Sequence, residues 1–292
     1  MDERAALALV GSEISAAGDD SAVVDGQVLT TDMLHERTDF PDGTTRYTAG
    51  WRAVGASLSD VAAMGADATA AVAVYAAPAF DAEDLRAFLQ GARDVCEAVD
   101  AEYVGGDLDD HGEFTVATTA LGETDAPVLR SGASPGEAVC VTGTLGRTAA
   151  ALPLFEDDMG RANDLFRFQP RIAAGEAVAP YATAMMDSSD GLARSLHQLA
   201  DASDCGFAVT WDAVPVDASV DDVAADVEEL RELAVHVGED FELVFAVPED
   251  RLATVREASP TPIARVGEVT GSGVQMDGEA LPDRGFTHGG ET

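Results

Sequence analysis

Carboxylates recur in this chain where apolar, strand-like runs meet turns. Asp19 and Asp20 follow Gly18, Asp32 follows Thr30 and Thr31, and Asp107 follows Gly105 and Gly106. Asp187 and Asp190 flank Ser188 and Ser189 ahead of Gly191, and Glu239 and Asp240 follow Gly238. Any one such turn is accounted for by ordinary turn chemistry. Five of them in one chain form a set of hard oxygen donors of the kind Mg²⁺ prefers, with hydroxyls, water and substrate phosphates completing its shell. Asp60 differs, because it lies in Leu58-Ser59-Asp60-Val61 beside an apolar helical stripe, an unfavourable place for a lone charge unless a cation meets it.

The charge balance narrows the chemistry. The 292 residues carry 54 acidic and 17 basic side chains, a net charge of −37, and every base is an arginine. The absence of lysine excludes a Walker A loop, the strand-borne lysine of protein kinases and Schiff-base catalysis. Phosphates handled here must be neutralised by metal ions and arginines. Nucleic acid is not an expected partner, because nothing supplies counterion release, and an anionic membrane surface would repel the chain.

Such self-repulsion is relieved when molar salt shortens the Debye length to about 3 Å, which points to a halophile's cytosol. Met1 to Val10 has no basic segment before a long apolar run, and no run reaches the length of a membrane span, so a cytoplasmic protein is expected. The three cysteines are dispersed and the five histidines lack ligand spacing, so neither disulfides nor zinc is expected.

The elements that must position these acids follow from periodicity. Strands are expected at Val28–Thr31, Ala70–Ala76, Tyr103–Gly105 and Thr115–Leu121, with Asp32 and Asp107 at strand ends. Thr48–Met64 reads as a helix, and Asp81–Val99 as another capped by Asp81. The small residues of Ser131–Glu137 mark a domain boundary. Beyond it come strands at Ala138–Thr142, Ala184–Met186 and Phe241–Val247, a helix at Gly191–Ala202, and two more strands within Pro260–Met276. The mixture is α/β or α+β. Thr142-Gly143-Thr144-Leu145-Gly146 reads as a tight turn in preference to a phosphate cradle, and Arg130 as a phosphate ligand or an ion-pair partner.

Taken in order, GDDSAVV, LTTDML, SLSDVAAMGADA, VGGDL, LRSGASPGE, VTGTLG, MDSSDGLARSL and GEDFELVF closely resemble the thiamine-monophosphate kinases. That family sits in the superfamily of aminoimidazole ribonucleotide synthetase and selenophosphate synthetase. The resemblance implies a two-domain aminoimidazole ribonucleotide synthetase-like fold. Residues 1–130 would bind ATP and Mg²⁺ and form a homodimer through a mixed sheet, and residues 131–292 would be an α/β domain completing the site. It implies transfer of phosphate from ATP to thiamine monophosphate, with K⁺ an open addition to Mg²⁺.

It further implies Asp20, Thr30, Thr31, Asp32, Asp60, Asp107, Asp187 and Asp190 as metal ligands, with Asp60 and Asp190 the pair on which turnover depends. Gly106, Asp107, Arg130 and Ser189 would contact ATP; Asp39, Glu239 and Phe286 would contact the acceptor. Asp39 stands where the family often has histidine, so an acid here faces the substrate phosphate. A selenophosphate synthetase is disfavoured by the lack of an N-terminal Cys–Lys pair, and a hydrogenase-maturation relative by the absence of a cysteine motif at the end of the sequence. A non-catalytic acidic cation-binding protein is the rival outside the superfamily.

Overall fold

The computed structural model describes residues 3–14 and 16–285. The chain begins with α1 (Glu3–Glu13), β1 (Ala22–Val24), β2 (Gln27–His35), α2 (Glu36–Asp39), α3 (Arg46–Ala63) and β3 (Asp67–Ala77). It continues with α4 (Ala82–Glu97), β4 (Glu102–Asp110) and β5 (Thr115–Glu123). These five strands form one mixed sheet in the order β1-β2-β5-β3-β4, with only β3 and β4 parallel. The α4 crossover makes that parallel pair possible. Asp81 accepts hydrogen bonds from the N–H groups of Glu83 and Asp84, so α4 starts at the expected cap.

The second half holds β6 (Ala138–Thr142), α5 (Arg147–Asp157), α6 (Met159–Phe166), α7 (Ile172–Val178), β7 (Ala184–Asp187) and α8 (Leu192–Ser203). After these come β8 (Gly206–Val209), α9 (Val227–His236), β9 (Leu243–Val247), α10 (Leu252–Ala258), β10 (Ile263–Thr270), β11 (Gly273–Met276) and β12 (Glu279–Ala280). A seven-stranded sheet runs β12-β11-β8-β10-β6-β9-β7.

Its central strands β6 and β9 are buried at every position, which explains their unbroken apolar runs. Alternation then splits them between two cores. Cys140 and Phe245 face the core containing Leu58, Phe88 and Val178, whereas Val141 and Val244 face Leu192, Leu196 and Leu199 of α8.

One helix belongs to both layers. α3 packs on β2, β3 and β5 of the first sheet and on β7 and α7 of the second half. Fourteen of its 18 residues are buried, so its few polar side chains must find partners inside the protein.

Two expectations about strand ends need correction. β2 continues three residues past Asp32 to His35, and β4 three past Asp107 to Asp110. Both acids are therefore within strands, and the backbone pairing that extends them involves polar residues whose types hide the strand. No helix among the described residues is long and apolar enough to cross a membrane.

Candidate active site

The buried polar residues of α3 meet acids from three directions. Thr30 on β2 donates its hydroxyl to Asp60 Oδ2 at 2.5 Å. Ser59 donates to Asp187 Oδ2 at 2.6 Å, reaching the end of β7 in the second sheet. Ser57 donates to Asp32 Oδ2 at 2.9 Å and lies 2.7 Å from the Thr118 hydroxyl on β5. Asp20, from the loop before β1, completes the group: one carboxylate oxygen each from Asp20, Asp60 and Asp187 lie within 4.8 Å of one another.

Three carboxylates this close repel strongly inside a protein. Burial, then Asp32, Asp187 and Asp20, push the Asp60 carboxyl well above the ordinary range. Burial and then Asp20 push Asp187 up as well. The local countercharge is Arg130, which holds Asp20 at 2.7 Å, while the Arg130 N–H donates to Asp19 at 2.5 Å. The buried Ser21 and Ser188 hydroxyls, beside Asp20 and Asp187, make no hydrogen bond among the described residues. Clustered hard oxygens, excess negative charge and orphaned hydroxyls together fit a hydrated divalent cation such as Mg²⁺.

The remaining candidates are spread around this centre. Asp32 shares a row across the first sheet with Thr118, Ala73 and Gly106. Three strand spacings put Gly106 about 14 Å from Asp32. Asp107, next along β4, is exposed on the outer strand, and the structure does not bring it to the three acids. Gly106 has φ 155°, and a Cβ there would stand 1.7 Å from the Ala73 carbonyl oxygen, so only glycine fits. Next to it, Tyr75, Leu85, Phe88, Leu89 and Tyr103 line an apolar cavity of about 360 Å³.

Thr31 separates from its neighbours. The period of two in β2 sends its side chain to the opposite face, where its hydroxyl donates to the Thr118 carbonyl at 2.7 Å. That face also carries Asp107, so Thr31 is on the side of the sheet away from Asp60 and Asp187.

On the other side of α3, Ser189 and Asp190 lie in the loop between β7 and α8, against the loop that carries Glu239. The Glu239 N–H donates to the Ser189 carbonyl at 2.6 Å. A Cβ at Gly238 would approach Gly191 N and the Ser189 oxygen to 2.5 Å, which allows nothing larger than glycine between the loops. Asp39 and Glu239 are brought together, with Phe40, Thr148 and Phe166, around a cavity of about 220 Å³. Asp39 Oδ2 is engaged by the His35 N–H at 2.6 Å and the Thr38 hydroxyl at 2.8 Å. Phe286 lies outside the described residues.

The small-residue loop after β6 is held by the protein's own acids. Asp240 accepts from the N–H groups of Gly146 at 2.5 Å and Thr148 at 2.9 Å, and its burial raises its carboxyl to about 7. This occupation favours a tight turn over a phosphate cradle.

Two family models cover most of the chain: AIR synthase related protein, N-terminal domain, over residues 18–124, and its C-terminal domain over residues 134–277. A thiamine-monophosphate kinase from Halobacterium salinarum is 63% identical over 291 residues, covering 99% of this chain and all of that protein. The chain belongs to the thiamine-monophosphate kinase family. A second member, from Methanospirillum hungatei, is 38% identical, with 99% of each chain covered. Among solved structures, AaThiL complexed with AMPPCP and TMP superposes with a TM-score of 0.89 at 28% identity, covering 98% of this chain and 97% of that one.

Within this family member, Ser57, Ser59 and Arg52 hold site acids in place although none stood out as a candidate. Their signal was present: polar residues at 52, 57 and 59 interrupt a helix that is otherwise apolar and buried. Reading it required knowing that both faces of α3 are covered.

Proposed function

We propose that this protein is an ATP-dependent kinase that phosphorylates thiamine monophosphate to thiamine diphosphate. The observation that carries the reading is the convergence of Asp20, Asp60 and Asp187, in a structure that also holds an apolar cavity at Gly106 and an acidic, aromatic one at Glu239. The first suits an adenine ring and the second the acceptor's heterocycles, so two phosphate chains would meet at the acids.

In the reaction the bond from the γ-phosphorus to the β,γ-bridging oxygen breaks, and an oxygen of the acceptor phosphate bonds to that phosphorus, leaving ADP. The acceptor oxygen is already ionised near neutral pH, so no side chain needs to remove a proton. The protein's work is alignment and charge neutralisation. Asp20, Asp60 and Asp187, with Asp32 and Asp190 nearby, would hold Mg²⁺, which supplies positive charge between the phosphates. Thr30, Ser57 and Ser59 orient the carboxylates that do so. Arg130, which pairs with Asp20, would share its guanidinium with a nucleotide phosphate. Gly106, at the edge of the apolar cavity, would lie against the nucleotide and Ser189 against its phosphates, Asp39 and Glu239 would border the acceptor, and Asp107 would contribute from the outer strand.

We assign the nucleotide and metal roles to residues 1–130 and the completing wall to 131–292. Leu29, Met33 and Val74 leave an apolar outer face on the first sheet, which suits a homodimer. The acid excess and the absence of lysine fit a cytoplasmic location at high salt; K⁺ is a reasonable additional ion there. ADP release measured in molar KCl with thiamine monophosphate, ATP and Mg²⁺ tests the function. Release that ignores the acceptor would contradict it.

A further inference from the structure

Arg52 has a position unlike that of an arginine in a surface ion pair. Its side chain is 1% exposed within α3. Nη1 donates to the Phe166 carbonyl at 2.6 Å, and Nη2 to Glu239 Oε2 at 2.5 Å and the Glu239 carbonyl at 3.2 Å. The guanidinium lies 3.8 Å from the centre of the Phe166 ring, stacked on an aromatic wall of the acceptor cavity. One planar fork thus binds the backbone of two segments from the second half, and a carboxylate besides.

Glu239 needs such an anchor. Its φ of 62° places a non-glycine residue in the left-handed region, and the Thr148 hydroxyl and Arg52 both donate to its carbonyl. Oε2 is taken by Arg52, whereas Oε1 makes no hydrogen bond among the described residues, and Glu239 lines the cavity. A glutamate fixed in one rotamer with one oxygen left over is a pre-organised acceptor for a donor-bearing heterocycle.

We propose that Arg52 is the positioning residue for acceptor recognition, presenting Glu239 to the amino-substituted ring of the acceptor. This rests on the thiamine monophosphate reading above. The same helix carries Asp60 eight residues on, about 12 Å along its axis. A single rod therefore spaces the group that reads the acceptor's ring from the group that meets its phosphate. Arg37, the other arginine at this cavity, is highly exposed and 3.5 Å from Glu113, and lacks these contacts.

The test is initial-rate kinetics of the full-length protein in molar KCl, varying thiamine monophosphate and ATP separately. Arg52→Met is expected to raise the acceptor KM roughly 10- to 100-fold, with the ATP KM within about twofold of wild type. Glu239→Gln is expected to do the same, and the double variant to be no worse than Glu239→Gln alone, because Arg52 acts through Glu239. Arg52→Lys, which keeps the charge but not the fork, falls between. If Arg52→Met does not fold, Arg52→Gln, which can still donate to the Phe166 carbonyl, carries the same decision.

An unchanged acceptor KM, an equal rise in the ATP KM, or additive effects in the double variant would overturn the role of Arg52. A wild-type protein without acceptor-dependent ADP release would instead sink the substrate reading, and this proposal with it.

Discussion

Ser59 and Asp187 join the two sheets through one 2.6 Å hydrogen bond, from the buried face of α3 to the end of β7. The next residue in the helix, Asp60, is one of the three acids that converge there. The cluster therefore exists only when the two halves are packed on α3, so an ion held there would be linked to the packing of the halves.

Substitution at the cluster separates chemistry from stability. Asp60→Asn removes a buried negative charge and leaves an amide that can still accept from Thr30. Turnover is expected to fall by roughly 10³-fold or more, while the Mg²⁺-free protein keeps its fold and melts no lower than wild type. Asp190→Asn is expected to abolish turnover with the fold intact. Steady-state assays at saturating Mg²⁺, paired with thermal melts, check both; retained activity would remove these residues from the site.

The pH dependence of the Mg²⁺-free protein follows from the same repulsion. Asp187 is raised from an ordinary 3.8 to about 8, and Asp60 is raised too. The native state thus binds more protons than the unfolded chain between those values, and stability falls as pH rises across that window. Melting temperature should decline from pH 5 to pH 8 without Mg²⁺, and less steeply in Asp187→Asn. Added Mg²⁺ should raise it more at pH 8 than at pH 5, because binding displaces protons. At about 100 times its dissociation constant the ion contributes roughly 2.7 kcal/mol, worth a shift of several degrees. A Mg²⁺ shift equal at both pH values contradicts the cluster as the binding site.

Gly106→Ala tests the nucleotide side. The new methyl collides with the Ala73 carbonyl, and the backbone at φ 155° resists any side chain. A loss of roughly 1–3 kcal/mol in stability is expected from such overpacking, with an ATP KM that rises far more than the acceptor KM. Calorimetry and two-substrate kinetics distinguish this from general unfolding.

Salt should act on the whole surface. Raising KCl from 0.1 M to above 1 M shortens the Debye length from about 10 Å to about 3 Å. With a net charge of −37 the melting temperature should climb steadily over that range. A flat response would show that the acid excess does not govern stability.

Much of this was readable before the fold. Asp81 announced its helix, and the apolar runs of β6 and β9 announced buried strands. Asp20, Asp60 and Asp187 drew notice by residue type and setting, and their convergence was implied only by resemblance, because contacts between residues 20, 60 and 187 are tertiary. The extension of β2 and β4 past Asp32 and Asp107 was hidden, since pairing partners across a sheet can override unfavourable residue types. Thr31 was grouped with Thr30 and Asp32 by resemblance, and strand alternation puts its side chain on the face opposite theirs. Arg52 did not stand out in the sequence, because its partners Phe166 and Glu239 are more than 100 residues away.

Anomalous diffraction from a crystal grown with Mn²⁺ and a non-hydrolysable ATP analogue addresses the central claim most directly, since Mn²⁺ takes the same hard oxygen donors as Mg²⁺. The account predicts an anomalous peak among the carboxylates of Asp20, Asp60 and Asp187, in contact with the nucleotide phosphates. Ordered nucleotide with no peak among these three acids would contradict it.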